Sequence, residues 1–316
     1  MPRVRVWPSL LAAWLASGIY VVGFLRRGWV PHDEGALAQS AERILQGQLP
    51  HADFAEVYTG GLSYLHALAF RVLGMNLLAP RWTLFLFFLA WVPALFYCLS
   101  RFLRPGAAAA ATLVAVTWSL PNYFAAMPSW YNLFFATFGL AALLRYAESP
   151  NRGWLFLAGV AGGASLIIKI AGLYYVAAAL LYLALLEVDS ASRPSATRRP
   201  AAGYGLLIGL LLAAFIGGLA WLVHGGHGLG YFYQFVLPGC AVAGVVACAV
   251  WRSGGATGSR TARLWQLAWP FGVGVALPVA VFLVPYVVAG ATGALLRGVF
   301  VSPMSRLAFA AKPPAR

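Results

Sequence analysis

Residues 82–100 read WTLFLFFLAWVPALFYCLS, with no charged side chain among them. About 20 residues rising 1.5 Å each cross the ~30 Å hydrocarbon core of a bilayer, so this stretch predicts a membrane helix. Similar apolar runs occupy 7–25, 106–121, 131–146, 154–168, 170–187, 204–223, 231–251 and 266–289. The whole chain matches them. Of its 316 residues 61% are hydrophobic and 9% charged, and mean hydropathy is +0.78. A soluble domain carries roughly 25% charged residues, so that class is excluded, as are a disordered tail and a disulfide-stapled module. Cys98, Cys240 and Cys248 all lie in apolar runs and read as small hydrophobes. The net charge of +14 does not indicate nucleic acid, because the basic residues are strewn along short hydrophilic breaks instead of forming one stripe.

Those breaks orient the chain. Arg101–Arg104, Arg145–Arg152, Arg193–Arg199 and Arg252–Arg263 are separated by two runs each and share one side, which the positive-inside rule makes cytoplasmic. Arg3 and Arg5 put the N-terminus there too, with 7–25 as a signal anchor. Residues 26–60 are then outside, and reaching the inside at 101 takes an odd number of crossings. The segment 61–79, with His66 and Arg71 near its middle, is therefore expected to lie along the interface. The expected fold is an all-α polytopic membrane protein of about nine transmembrane helices, with amphipathic interfacial helices in the first outer loop. Residues 1–289 form the transmembrane domain, its outer loop being 26–80. Residues 290–316 are expected to be an outer-face tail and the start of a longer region.

Only eight carboxylates are present, and five lie between Asp33 and Glu56. The other three, Glu148, Glu187 and Asp189, are assigned to cytoplasmic loops. In 34–46 the apolar residues Leu37, Ala41, Ile44 and Leu45 recur at helical spacing, with Glu42 on the polar face and Gly47 as a stop. Asp33 fits two roles, an N-cap of this helix and a general base. Asp53 and Glu56 belong to a second acidic element, DFAEVYTGG (53–61), which could equally be a solvated loop.

The stretch HDEGALAQSAERILQGQLPHADFAEVYTGGLSYL (32–65), following one span and a basic N-terminus, resembles the GT-C superfamily of membrane glycosyltransferases. The branch it resembles holds the protein O-mannosyltransferases and lipid A aminoarabinose transferases. Gly60, Gly61 and Tyr64 stand where that family begins an interfacial helix, and GGASLIIKIAGLYY (162–175) is similar to its Gly-rich helix ending in an outward lysine. The resemblance covers about residues 1–190. It implies an inverting enzyme that moves a sugar from a polyprenyl-phosphate donor to a lipid, glycan or protein acceptor, at the outer face of a bacterial inner membrane. On it, Asp33 matches the catalytic base and Glu34 its paired acid, and Lys169 would meet the donor phosphate. Asp53, Glu56, Tyr58 and Arg71 become substrate-binding candidates, with Arg81 a weaker one, and Trp130 and Tyr131 could stack on a sugar.

Each of these residues has a plainer reading. Lys169 could be an interfacial lysine, Trp130 and Tyr131 an aromatic belt, and Arg71 and Arg81 headgroup contacts. An outer acid that several family members carry after the third span is missing from PNYFAAMPSWYN (121–132), where Asn132 occupies that neighbourhood. Use of a divalent metal stays open. His224 and His227 on HGGHGLG are a weak metal signal beside a solvated turn. The alternatives to a transferase are a transporter or flippase of lipid-linked sugar and an inactive fragment. Spans almost free of ionisable residues weigh against transport.

Overall fold

The computed structural model describes residues 6–191, 202–223, 230, 232–252 and 257–302. Among them the chain is helical and forms no strand, only an isolated bridge between Pro50 and Phe54. Four helices are long and apolar enough to cross a membrane: Leu78–Leu99, Gly203–Ala220, Phe232–Arg252 and Ser259–Val288. Their outward apolar side chains, among them Leu206, Leu210, Val245, Val281 and Val288, are exposed, as lipid-facing residues must be. The other predicted runs also lie on helices, but shorter or less apolar ones. His224, His227 and the break Arg193–Arg199 lie outside the described residues.

The chain divides into two compact units, residues 1–175 with 271–316 and residues 176–270. In the first, α1 (Val6–Val22), α4 (Leu78–Leu99), α5 (Pro105–Thr117), α6 (Pro128–Glu148) and α7 (Arg152–Ile168) enclose an aromatic core of Phe85, Phe88, Trp91, Tyr131 and Phe134. Polar atoms inside it are paired. Trp91 Nε1 donates to Thr137 Oγ1 at 2.9 Å, and Trp14 Nε1 donates to the Leu89 carbonyl at 2.8 Å, tying α1 to α4.

Two further helices, α2 (Pro31–Leu45) and α3 (Gly61–Leu73), pack against each other between α1 and α4 in sequence. Proline at the first position of α2 costs no hydrogen bond there, and Gly47 at φ +86° ends the helix where the sequence placed its stop. Thirteen residues make α3 about 20 Å long, short of the ~30 Å core. It stops at Leu73, with Gly74 at φ +87°, and α4 begins at Leu78, so the interfacial segment predicted for 61–79 is shorter than expected. Gly61 lets α3 touch α7, since a Cβ there would stand 2.5 Å from the Ile167 carbonyl oxygen. Gly61→Ala should cost about 1–3 kcal/mol, checked as a lowered melting temperature of the purified protein.

The second unit contains most of α8 (Gly172–Ala191), α9 (Ala202–Val223), α10 (Leu237–Arg252, after a π turn at Phe232–Val236) and the start of α11 (Thr257–Val288). Two sequence assignments change here. Glu187 lies in helix α8 instead of a loop, and Arg260 and Arg263 lie in α11 instead of a hydrophilic break. The reason is electrostatic. Glu187 is buried and accepts hydrogen bonds from Arg260 Nη2 at 2.7 Å and Nε at 3.2 Å, with Arg263 Nη2 at 3.3 Å. Paired in this way, the carboxylate and guanidinium can lie inside helical structure.

Within the first unit, α4, α6 and α7 carry polar groups at both ends. At the C-terminal ends of α4 and α6, Glu148 accepts hydrogen bonds from Tyr97 Oη at 3.0 Å, from Arg101, and from Arg145 at 3.2 Å. The breaks at 101 and 145, assigned to one side by their charge, are in contact. At the opposite end, the segments 24–34, 122–130 and Lys169 converge.

Candidate active site

That convergence begins with an arginine. Arg81, in the first turn of α4, is fully buried and reaches across to Glu34. Its Nε stands 2.5 Å from Glu34 Oε1 and its Nη2 stands 2.8 Å from Oε2. The remaining N–H groups donate to the carbonyls of Leu25 (3.1 Å), Arg27 (2.6 Å) and Gly28 (3.0 Å), and the Trp29 ring centroid lies 3.8 Å from the guanidinium carbon. One guanidinium fork thus fixes the whole link between α1 and α2. Glu34 also accepts the Val30 N–H at 2.8 Å and so satisfies the N-terminus of α2.

Glu34 therefore takes the capping role that the sequence offered to Asp33. No side chain caps α2 from its N-cap position, Val30, and Asp33 lies inside the first turn. Its carboxylate is half-exposed and accepts a hydrogen bond from the Tyr123 hydroxyl at Oδ2. That bond, assisted by the charges of Asp33 and Glu34, raises the Tyr123 phenol to about 12, so it stays a donor at physiological pH. Trp130 closes this edge by donating from Nε1 to the Tyr123 carbonyl at 3.0 Å. Tyr58 connects the acid to a cation. Its own phenol is raised by burial and by the charges of Asp33 and Glu56, and the Lys169 Nζ stands 5.6 Å from its ring centroid.

Lys169 follows α7 in extended conformation and donates to Ser129 Oγ at 3.0 Å. A cavity of about 300 Å³ opens beside it, lined also by Asn132, Ser165, Gly172 and Tyr174. The Asn132 amide spans the break between α7 and α8 when its nitrogen donates to the Ser165 carbonyl (3.1 Å) and its oxygen accepts the Gly172 N–H (3.1 Å).

The second acidic element is a built loop. Asp53 is exposed and caps its own turn by accepting the Leu49 N–H at 2.7 Å. Glu56 is buried and accepts from Val57 N–H (2.7 Å) and Ser63 Oγ (2.7 Å), pinning the loop to the start of α3. A cavity of about 600 Å³ lies beside both, bounded on its far side by Ala294, Arg297 and Gly298. This places residues 294–302 next to the loop at 51–56, and Gly298 fits there because a Cβ would collide with His51.

Asp33, Tyr58, Trp130 and Lys169 share a rim, while Asp53 and Glu56 flank the neighbouring cavity. Tyr131 does not join them. It is fully buried, with ring centroids 5.3 Å from Phe87 and 6.4 Å from Phe134, so it cannot stack on a sugar. Arg71 is exposed on α3 and makes no contact with the rim residues among those described. Arg81 is sealed from lipid headgroups. Glu34 is buried with it and ties the link between α1 and α2 to α4. Among the described residues no cluster of three or more His, Cys, Asp or Glu could hold a metal ion.

Sequence reading had Arg81 only as a weak phosphate or headgroup contact and did not single out Tyr123, yet these are the two partners that orient the acids. For Arg81 a signal existed: an arginine adjoining an apolar span, in a chain with five of its eight acids between residues 33 and 56. For Tyr123 none did, because it lies 90 residues from Asp33. His66 is a third surprise. It is fully buried, its ring nitrogens have no hydrogen-bond partner among the described residues, and burial lowers its pKa to about 3. The unfolded chain, with an ordinary value near 6.5, then takes up a proton that the fold refuses. Stability is full above about pH 6.5 and falls as the pH drops toward 3. Melting curves across that range should show a decline that His66→Phe reduces.

No protein-family model, curated protein or solved structure matches this chain.

Proposed function

We propose that the chain is an integral membrane glycosyltransferase that moves a sugar from a polyprenyl-phosphate donor to a hydroxyl acceptor at the rim holding Asp33 and Lys169. One observation carries this reading. A half-exposed carboxylate, oriented by a phenol and by a helix whose N-terminus is locked in place, shares a rim with the only lysine outside the C-terminal tail. Tyr58 stands between them.

The chemistry assigns each group. Asp33 takes the proton from the acceptor hydroxyl as its oxygen attacks the anomeric carbon. The bond from that carbon to the phosphate oxygen breaks, and the polyprenyl phosphate leaves with an added negative charge. Lys169 Nζ, held by Ser129, receives that charge. Tyr123 keeps one carboxylate oxygen of Asp33 occupied and leaves the other for the acceptor. Attack opposite the leaving phosphate inverts the anomeric centre.

The resemblance in 32–65 and 162–175 supports the same assignment. Nine crossings with this rim outside are the reading that the arginine-rich breaks support. Lys169→Gln should slow consumption of a polyprenyl-phosphate-linked sugar by about 10- to 100-fold, the worth of a hydrogen bond to a charged group. Lys169→Arg should recover part of the loss. Unchanged consumption in Lys169→Gln would remove Lys169 from the reaction.

A further inference from the structure

A third cavity, of about 550 Å³, opens on the first unit at the end away from Asp33. It falls within the roughly 300–1,000 Å³ of small-molecule sites. Its walls come from three helices, with Ala94 on α4, Phe135, Phe138 and Ala141 on α6, and Trp154 and Leu157 on α7. Small residues on α4 and α6 leave the space, and aromatic and branched residues line it. On α6 it runs from Phe135 to Arg145, about 15 Å of helix or half the ~30 Å hydrocarbon core. That is the depth of one leaflet.

The wet end is basic. Arg145 lines the cavity and is about half-exposed, and its one described ion pair uses Nη1 and Glu148. Its other N–H groups are unengaged among the described residues. Arg101 stands beside Glu148 too, so two guanidiniums face one carboxylate, and Arg104 and Arg152 begin the adjoining helices. Tyr97 and Trp154 supply the amphipathic rings that sit at headgroup level.

We propose that this groove is a binding site for an anionic glycerophospholipid of the surrounding bilayer, its acyl chain lying along Phe135 and Phe138 and its phosphate meeting Arg145. An apolar slot one leaflet deep excludes a soluble anion, and the surplus of arginine at its mouth favours an acidic headgroup over a zwitterionic one. The site is at the opposite end of the helices from Lys169 and does not depend on the proposed transferase activity.

Native mass spectrometry of the full chain, with phosphatidylglycerol and phosphatidylethanolamine of equal acyl length, tests it. The wild-type protein should retain phosphatidylglycerol in preference. Arg145→Gln, at a half-exposed position, should reduce that retention about five- to tenfold and leave phosphatidylethanolamine unchanged. Ala94→Phe, which fills the groove, should reduce both, and Ala141→Leu serves if Ala94→Phe does not fold. Equal retention of the two lipids by the wild type, or no effect of Arg145→Gln, overturns the headgroup assignment. Undiminished retention by a folded groove-filling variant overturns the site.

Discussion

Asp33→Asn should cut sugar transfer by a factor on the order of 10² to 10⁴, the usual worth of a general base, while leaving the fold intact. The second half of that expectation comes from the geometry. Asp33 is half-exposed, and its described partner is one phenol that an asparagine oxygen can still accept from. The amide cannot take up the acceptor's proton. Consumption of a polyprenyl-phosphate-linked sugar by purified protein is the readout, with a melting curve to confirm folding. Full activity in the folded variant would mean that the carboxylate is structural.

Arg81→Ala should do the reverse and unfold the site before any chemistry is lost. It removes both bonds to Glu34, three carbonyl contacts on 25–28 and the Trp29 ring contact at once. Breaking a buried pair from one side leaves a bare buried charge and costs about 3–5 kcal/mol. The wild type, Arg81→Ala, Glu34→Gln and the double variant form a cycle. Its measured melting free energies should be strongly non-additive, the double variant being less damaged than the two single losses summed. Additive losses would show that Glu34 and Arg81 act independently.

The helical, apolar character of the chain was legible in runs such as 82–100, because hydropathy and length suffice for that. So was the amphipathic helix that Gly47 ends, since its period and stop are local. The breaks at 101 and 145, which share a basic character in the sequence, meet through the pairing of Arg101 with Glu148. What sequence could not supply was pairing at a distance. Glu34 looked like half of a catalytic pair until Arg81, 47 residues on, proved to bury it. Tyr131 looked available beside Trp130, yet successive helical positions point about 100° apart, and only Trp130 turns toward the rim. Glu187 looked like a loop acid because its partner, Arg260, is 73 residues away. For Glu34 and Glu187 the physical origin is the same: a charge's role depends on whether its counter-charge is in reach, and hydropathy contains no such information, whereas Tyr131 turned on helical phase.

On the proposed function, the rim of Asp33 and Lys169 holds a polyprenyl-phosphate-linked sugar. Mass spectrometry of lipids that co-purify with the wild type, Asp33→Asn and Lys169→Gln tests it most directly. The expected result is a polyprenyl-phosphate sugar on the wild type, more of it on Asp33→Asn, which binds but cannot turn over, and less on Lys169→Gln. Only bulk phospholipid on all three, in equal amounts, would contradict the assignment.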